Sequence, residues 1–369
     1  MHVLQILIGI FAVLGAADRI TGNHLKLGQE FEKGIMATGS LALAMVGMIV
    51  LSPVISELLT PIVEPVSAFL GIDPSFISIF FANDMGGAAL AEQLSPGTVW
   101  SGINGLVVSS MLGVTLCFTI PVPLKLIDPK HHRDVLSGIL CGIVTMPIGC
   151  IVGGLVLGCP FPQLMRNLLP VIMIAALVCI GLVLNAELCR KLFALLGDAV
   201  LIVITIGLAA GIWEYLTGMV LIPGMGSISE AFGSVIGIAI TLAGVFPMLK
   251  VISQILYKLL NRAGKALHIN STSVMGLITS LSNSIPMFSM VEEMDSRGIV
   301  INMAFAVSAS FVFGDHLAFT MAYNDAYLAG MIAGKLTGGL CAILAVVILN
   351  RCMHPDEAAG LSDRTGEET

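Results

Sequence analysis

The sequence predicts an all-α polytopic membrane protein with about nine transmembrane helices plus two re-entrant helical hairpins arranged as an inverted repeat. Three observations lead there. With 56% hydrophobic residues, 11% charged and a mean hydropathy of +0.98, the 369-residue chain has too little polar material to clothe a soluble globule. Two stretches, FFANDMGG (80–87) and TSLSNSIPMFSM (279–290), place amides, hydroxyls and a carboxylate inside runs otherwise as apolar as a membrane helix. Finally, lysine and arginine sort strongly to one side of the expected spans, as short cytoplasmic loops require.

Taken in order, the first span covers 3–17 and is closed by Asp18 and Arg19. Only Met1 and His2 precede it, with no basic region and no small-residue cleavage site, so it is expected to be kept as a span. Residues 20–34 look like a short amphipathic surface helix. A second span over 35–55 leads into 56–74, where Pro61, Pro65 and Pro74 with three acidic residues predict a broken connection. The first interrupted segment is 76–94 and the second 273–290. Full spans are expected at 99–120, 135–157, 168–184, 200–216, 228–248, 300–321 and 327–350, followed by a short acidic tail over 351–369. Eight cysteines lie in or beside apolar runs without a CxxC pair or zinc spacing, and are read as small hydrophobes. Gly149 with Gly153, and Gly330 with Gly334, have the GxxxG spacing of close helix packing.

The basic residues decide whether the interrupted segments cross. If both dip in and return on the same side, fifteen of the seventeen lysines and arginines fall on one face, with Arg166 opposite and Lys335 inside a span. If both cross, the division is seven to nine and the bias vanishes. Re-entrant hairpins are therefore preferred, with the N-terminus outside, the C-terminus cytoplasmic, and the hairpins entering from opposite faces. That arrangement calls for a repeat of about 35–158 matched by about 226–350, within one transmembrane domain over 1–350. Aligned without gaps, 97–119 and 298–320 share seven identities in 23, among them Ser109/Ser310 and Gly113/Gly314. Two apolar helices can share that many by chance; the meaning comes from each copy directly following an interrupted segment.

Candidate binding residues follow from the cost of polarity in hydrocarbon. A carboxylate at mid-membrane, Asp84, is costly unless it is paired or hydrated, which marks it for binding; capping the second limb of its hairpin is the structural alternative. Asn83, Ser282, Asn283 and Ser284 supply neutral donors and acceptors, again with capping as the alternative. Asp315 and His316 are adjacent, point about 100° apart on a helix, and have no ionisable counterpart beside Gly113. Histidine titrates near neutral pH, so protonation could gate transport. Lys335 would be costly facing lipid, and either snorkels or pairs internally. Nothing resembles a P-loop, a GxSxG elbow, HExxH or a dinucleotide fingerprint, so no enzyme, metal or cofactor is expected. The net charge of −7 gives no reason to expect a nucleic-acid partner.

The segments FAVLGAADRITGNHLKLGQEFEKGIMATGSLALAMVGM, FFANDMGGAALAEQL, SLSNSIPMF and FVFGDHLAFT resemble the ethanolamine permeases of bacterial ethanolamine-utilisation operons, the EutH type, from about residue 8 to 350. The resemblance implies an inner-membrane facilitator that brings ethanolamine into the cytoplasm, and it carries over no site residue. Its partners would be ethanolamine and a lipid bilayer, with a homo-oligomer left open. The alternative is a proton- or sodium-coupled carrier of another small amine or amino acid. A membrane sensor would need a cytoplasmic output domain, which the tail after Arg351 does not provide. Cysteine labelling checks the threading: residues 94–97 are expected on the face opposite 125–133, and labelling on one face would remove both hairpins.

Overall fold

A computed structural model describes residues 2–81 and 87–353. Among these all regular structure is helical and no strand occurs, so the chain is an all-α, multi-pass membrane protein. Seven helical stretches among the described residues are long and apolar enough to cross a bilayer. Large apolar side chains stand exposed along them, such as Phe69 and Leu184, which suits a surface bathed in lipid.

The first two helices are α1 (His2–Ile20) and α2 (Leu27–Leu70). Asp18 is buried at their corner, where its carboxylate accepts the N–H groups of Leu25 at 2.9 Å, Leu27 at 2.8 Å and Gly28 at 3.0 Å. It thereby satisfies donors at the start of α2 that no residue of that helix can reach. The surface helix expected over 20–34 is not formed, since the chain turns over 21–26 and α2 begins at once. Nor is the chain broken at the prolines: α2 runs through Pro53, Pro61 and Pro65 to Leu70, and the break falls only at 71–73. Pro53 lacks the N–H that would reach the Ile49 carbonyl, and the Ser52 hydroxyl donates to that carbonyl at 2.9 Å instead.

The first interrupted segment comprises a 3-10 limb (Pro74–Phe81) and α3 (Gly87–Leu94). Its two ends meet, because Asp73 accepts hydrogen bonds from the Ser95 hydroxyl at 2.7 Å and the Ser75 N–H at 2.9 Å. The chain continues through α4 (Val99–Gly102) into π-helical turns over Ile103–Gly113 and Thr115–Thr119, then α5 (Pro121–Leu126) and α6 (His132–Val156). Helix α7 (Phe161–Thr217) has 57 residues, about 85 Å of helix, more than twice a hydrocarbon core. It is bent at Asn185, whose φ of −157° and ψ of 83° leave the helical region and whose side chain accepts the Leu188 N–H at 2.9 Å. The second limb is helical from that bend, so the loop expected between 184 and 200 is helix.

Next come α8 (Ile228–Leu267), α9 (Ser271–Ser280), α10 (Ser284–Ser289), α11 (Ser296–Ala309), α12 (Asp315–Asn324) and α13 (Leu328–Met353). The second interrupted segment, α9 with α10, also closes on itself. The Asn270 amide donates to the Glu293 carbonyl at 2.8 Å, and the Ser273 hydroxyl donates to Asp295 at 2.8 Å. Its exit is tied to the turn before α6 by Lys130 with Glu292, and to the first turn of α6 by the Ser296 hydroxyl on Asp134 at 2.6 Å. The Lys130 ammonium beside Glu292 holds that carboxyl below the usual carboxylate range.

Helices α6 and α13 pack through the two GxxxG runs. A Cβ on Gly149 would lie 2.5 Å from the Gly334 carbonyl oxygen, and one on Gly153 would lie 2.8 Å from that of Gly330. With lipid outside as apolar as the interior, such backbone proximity and its dispersion contacts hold helices together. Gly149→Val is therefore expected to cost about 1–3 kcal/mol or more by overpacking and to lower the thermal midpoint in detergent. Gly9→Ala, where nothing lies within 4 Å of the added carbon, is expected to leave that midpoint unchanged or slightly raised.

Candidate functional site

The span expected over 300–321 is not continuous. α11 stops at Ala309 and α12 starts at Asp315, with residues 310–314 unwound between them. Phe311 takes a positive φ of 61°, a conformation costly for a bulky side chain, so its surroundings must hold it there. The tip between α9 and α10 does so. The Phe311 N–H donates to the Ser280 carbonyl at 2.9 Å, and the Phe313 N–H to the Leu281 carbonyl at 2.9 Å. The Ser284 hydroxyl donates to the Ser310 hydroxyl at 2.7 Å, and that of Ser310 donates in turn to the Ala306 carbonyl. A Cβ on Gly314 would stand 2.1 Å from the Ser282 carbonyl oxygen, so only glycine lets the tip approach this closely.

Of the residues singled out from the sequence, Ser282, Asn283, Ser284, Asp315 and His316 lie at this junction. Asn283 caps α10 by accepting the Ile285 N–H at 2.9 Å, the structural role weighed for it above. Ser282 is half-buried and its carbonyl sits against the residue that precedes Asp315. Asp315 opens α12, half-buried, and His316 is fully buried beneath it. Asn83 and Asp84 lie outside the described residues.

Three phenylalanines and the imidazole form a chain of ring contacts along one side of the tip. Phe118 is 6.0 Å from Phe288 and 5.6 Å from Phe311, and Phe311 is 5.3 Å from His316. Aromatic faces attract cations, most strongly where water is excluded. On the other side a cavity of about 470 Å³ reaches the tip, with Thr279, Leu281, Ser282 and Phe313 at the hairpin end. Its far wall is Phe246 to Gln254 of α8, with Glu30 from the first turn of α2. A hydroxyl-rich tip, a carboxylate at the start of a half-helix and aromatic faces together suit a small cation that also carries a hydroxyl.

Lys335 pairs internally. It is buried, and its Nζ donates to the Ser110 carbonyl at 2.6 Å, inside the π-helical run. Such π turns are frequent at functional places in helices.

Sequence reasoning missed Ser310, Phe311, Phe118 and Glu30. For the first two a signal existed, since SASFVFG combines small hydroxyls with a glycine inside a span. Phe118 and Glu30 carry no such mark, because their part depends on contacts made across the fold.

The model of the family described as "Ethanolamine utilisation protein, EutH" matches residues 1–349. A protein named "Probable ethanolamine permease EutH" from Listeria monocytogenes serotype 1/2a (strain 10403S) is 46% identical over 359 residues, covering 97% of this chain and 96% of its own. An "Uncharacterized protein YxeR" from Bacillus subtilis (strain 168) is 42% identical over 340 residues, covering 92% of each. A further "Probable ethanolamine permease EutH", from Salmonella typhimurium (strain LT2), is 40% identical over 379 aligned positions, covering 95% of this chain and 92% of its own. No solved structure matches.

Gly314→Ala is expected to force the tip away from the break and to lower the thermal midpoint in detergent, while far-ultraviolet dichroism stays helical. An alanine variant with an unchanged midpoint would show that the tip can give way at no cost.

Proposed function

Because the chain belongs to the family described as Ethanolamine utilisation protein, EutH, we propose that it is a transporter, not an enzyme, that admits ethanolamine to the cytoplasm. The substrate binds where the two interrupted segments approach one another, at Asn83, Asp84, Ser282, Asn283, Ser284, Asp315 and His316. Two findings support this reading. One is the name, probable ethanolamine permease, borne by the relatives at 46% and 40% identity. The other, which carries the choice of site, is the seam between the tip at 280–284 and the unwound backbone at 310–314. Discontinuous helices of this kind, facing a cavity, are where carriers hold polar solutes.

Ethanolamine suits such a place. Its amine is an ammonium at neutral pH and its other end is a hydroxyl, so it needs one anion and a few neutral oxygens. In this reading Asp84 or Asp315 pairs with the ammonium, the serine hydroxyls and Asn83 hold the alcohol, and Phe288 with Phe311 offers π faces. Nine spans, two re-entrant hairpins of opposite entry and an inverted repeat complete the architecture, in an inner membrane with the N-terminus outside.

Each interrupted segment has its ends fastened together, as a hairpin returning to its own face would. Each is also braced by an asparagine of the span that follows. Asn104 donates to the Ser75 hydroxyl at 2.8 Å and Asn302 to the Ser273 carbonyl at 2.9 Å, and both pairs are 29 residues apart. The π run of the first following span ends at Gly113, and the break in the second ends at Gly314, its partner in the ungapped alignment. These parallels favour a duplicated unit.

Uptake of radiolabelled ethanolamine into proteoliposomes tests the proposal. The unaltered protein is expected to show saturable uptake, and Asp84→Asn or Asp315→Asn to reduce it at least tenfold. Full saturable uptake by both variants would remove the site, and no uptake by the unaltered protein would remove the function.

A further inference from the structure

The cavity that ends at Ser282 begins at a carboxylate whose position the proposed site does not use. Glu30 lines the cavity, with its side chain only 19% exposed, while the Lys33 side chain that bonds it at 2.8 Å is 63% exposed. The carboxylate thus belongs to the cavity wall, and the lysine reaches it from the water side. Lys250 is a second basic residue at the cavity, in its lining.

We propose that Glu30 is a second ammonium-binding position at the mouth of the cavity, and that Lys33 is a built-in competitor which displaces the substrate from it. This rests on the reading of the chain as a carrier of a primary alkylammonium. The Lys33 side chain ends in the same group as that class of solute, a primary ammonium on a flexible methylene chain, so Glu30 offers both the same charge-assisted hydrogen bonds.

Exchange is inexpensive because a pair with so exposed a lysine shifts an equilibrium by no more than about fivefold. With Lys250 nearby, the mouth keeps a surplus of positive charge whenever Lys33 is docked. A solute cation therefore pauses at Glu30 but is not trapped there. A carrier that held its solute tightly at the exit would release it slowly, and an internal competitor removes that obstacle.

Protection of a cavity thiol reads occupancy of the mouth directly. Ser253→Cys, nearly isosteric and in the cavity wall, is labelled in the purified full-length protein with a charged thiosulfonate while ethanolamine is titrated. The native cysteines are accounted for by the same titration without the new thiol. Adding Lys33→Gln is expected to lower the half-protecting ethanolamine concentration up to about fivefold, and Glu30→Gln to raise it. In the Glu30→Gln background Lys33→Gln should have no effect. Should Glu30→Gln not fold, Glu30→Asp replaces it, with weaker coupling to Lys33 expected.

Unchanged or weaker protection in Lys33→Gln overturns the inference, as does a Lys33 effect that persists without Glu30. If the unaltered protein takes up ethanolamine saturably but no variant is protected, this inference alone fails. If neither uptake nor protection is seen, the carrier reading fails and takes this with it.

Discussion

The constraint on which the rest of this structure depends is that backbone polar groups removed from water must find partners within the protein. At residues 310–314 the helix stops and its ladder of bonds is interrupted. The N–H groups of Phe311 and Phe313 are met by the carbonyls of Ser280 and Leu281, which the end of α9 has in turn released. Two breaks therefore complete each other. Neither would be tolerable alone in an apolar surrounding, which is why the tip and the unwound turn act as one unit, and why a positive φ at Phe311 persists.

The polar groups at the hairpin bases work by the same rule. Asp73 with Ser75 and Ser95, and Asp295 with Ser273 and Asn270, use one carboxylate each to fasten the ends of an interrupted segment. A buried network continues from the first of these to Asn104 and Asn167, the latter donating to the former at 3.0 Å. Apolar contacts are non-directional and decide little about where a short helix must begin. Hydrogen bonds at its ends do decide this, and so fix where each limb starts. Close packing through Gly149, Gly153, Gly330 and Gly334 joins α6 to α13 in the same molecule.

The pairing of carboxylate and lysine at the cavity mouth has a different character. Glu30 and Lys33 are three residues apart on one helix, an arrangement usually of small energetic worth. Here Glu30 alone of the pair lines the cavity, so a weak interaction gains a role from its location. Weakness is useful at such a place, since a solute in transit must be able to replace the resident cation.

Much of this was legible in the residues. Composition alone required a membrane protein; the run SNSIP marked the interruption between α9 and α10, and the GxxxG spacings marked the α6–α13 seam. These are local signals, because the cost of a polar group in hydrocarbon depends on that group and its immediate neighbours. Tertiary structure alone decided the continuity of α2 through three prolines, the bend rather than a loop at Asn185, and the break at 310–314. In each case the outcome turned on a partner: Ser52 for the carbonyl left by Pro53, Asn185 capping the second limb of α7, and the carbonyls at 280 and 281 for the unwound turn. The same holds for Phe118 and Glu30, ordinary residues in sequence, which contacts from distant helices bring to the tip and to the cavity. Propensity and hydropathy say where a polar group is costly, but only the fold supplies the partner that makes it stable.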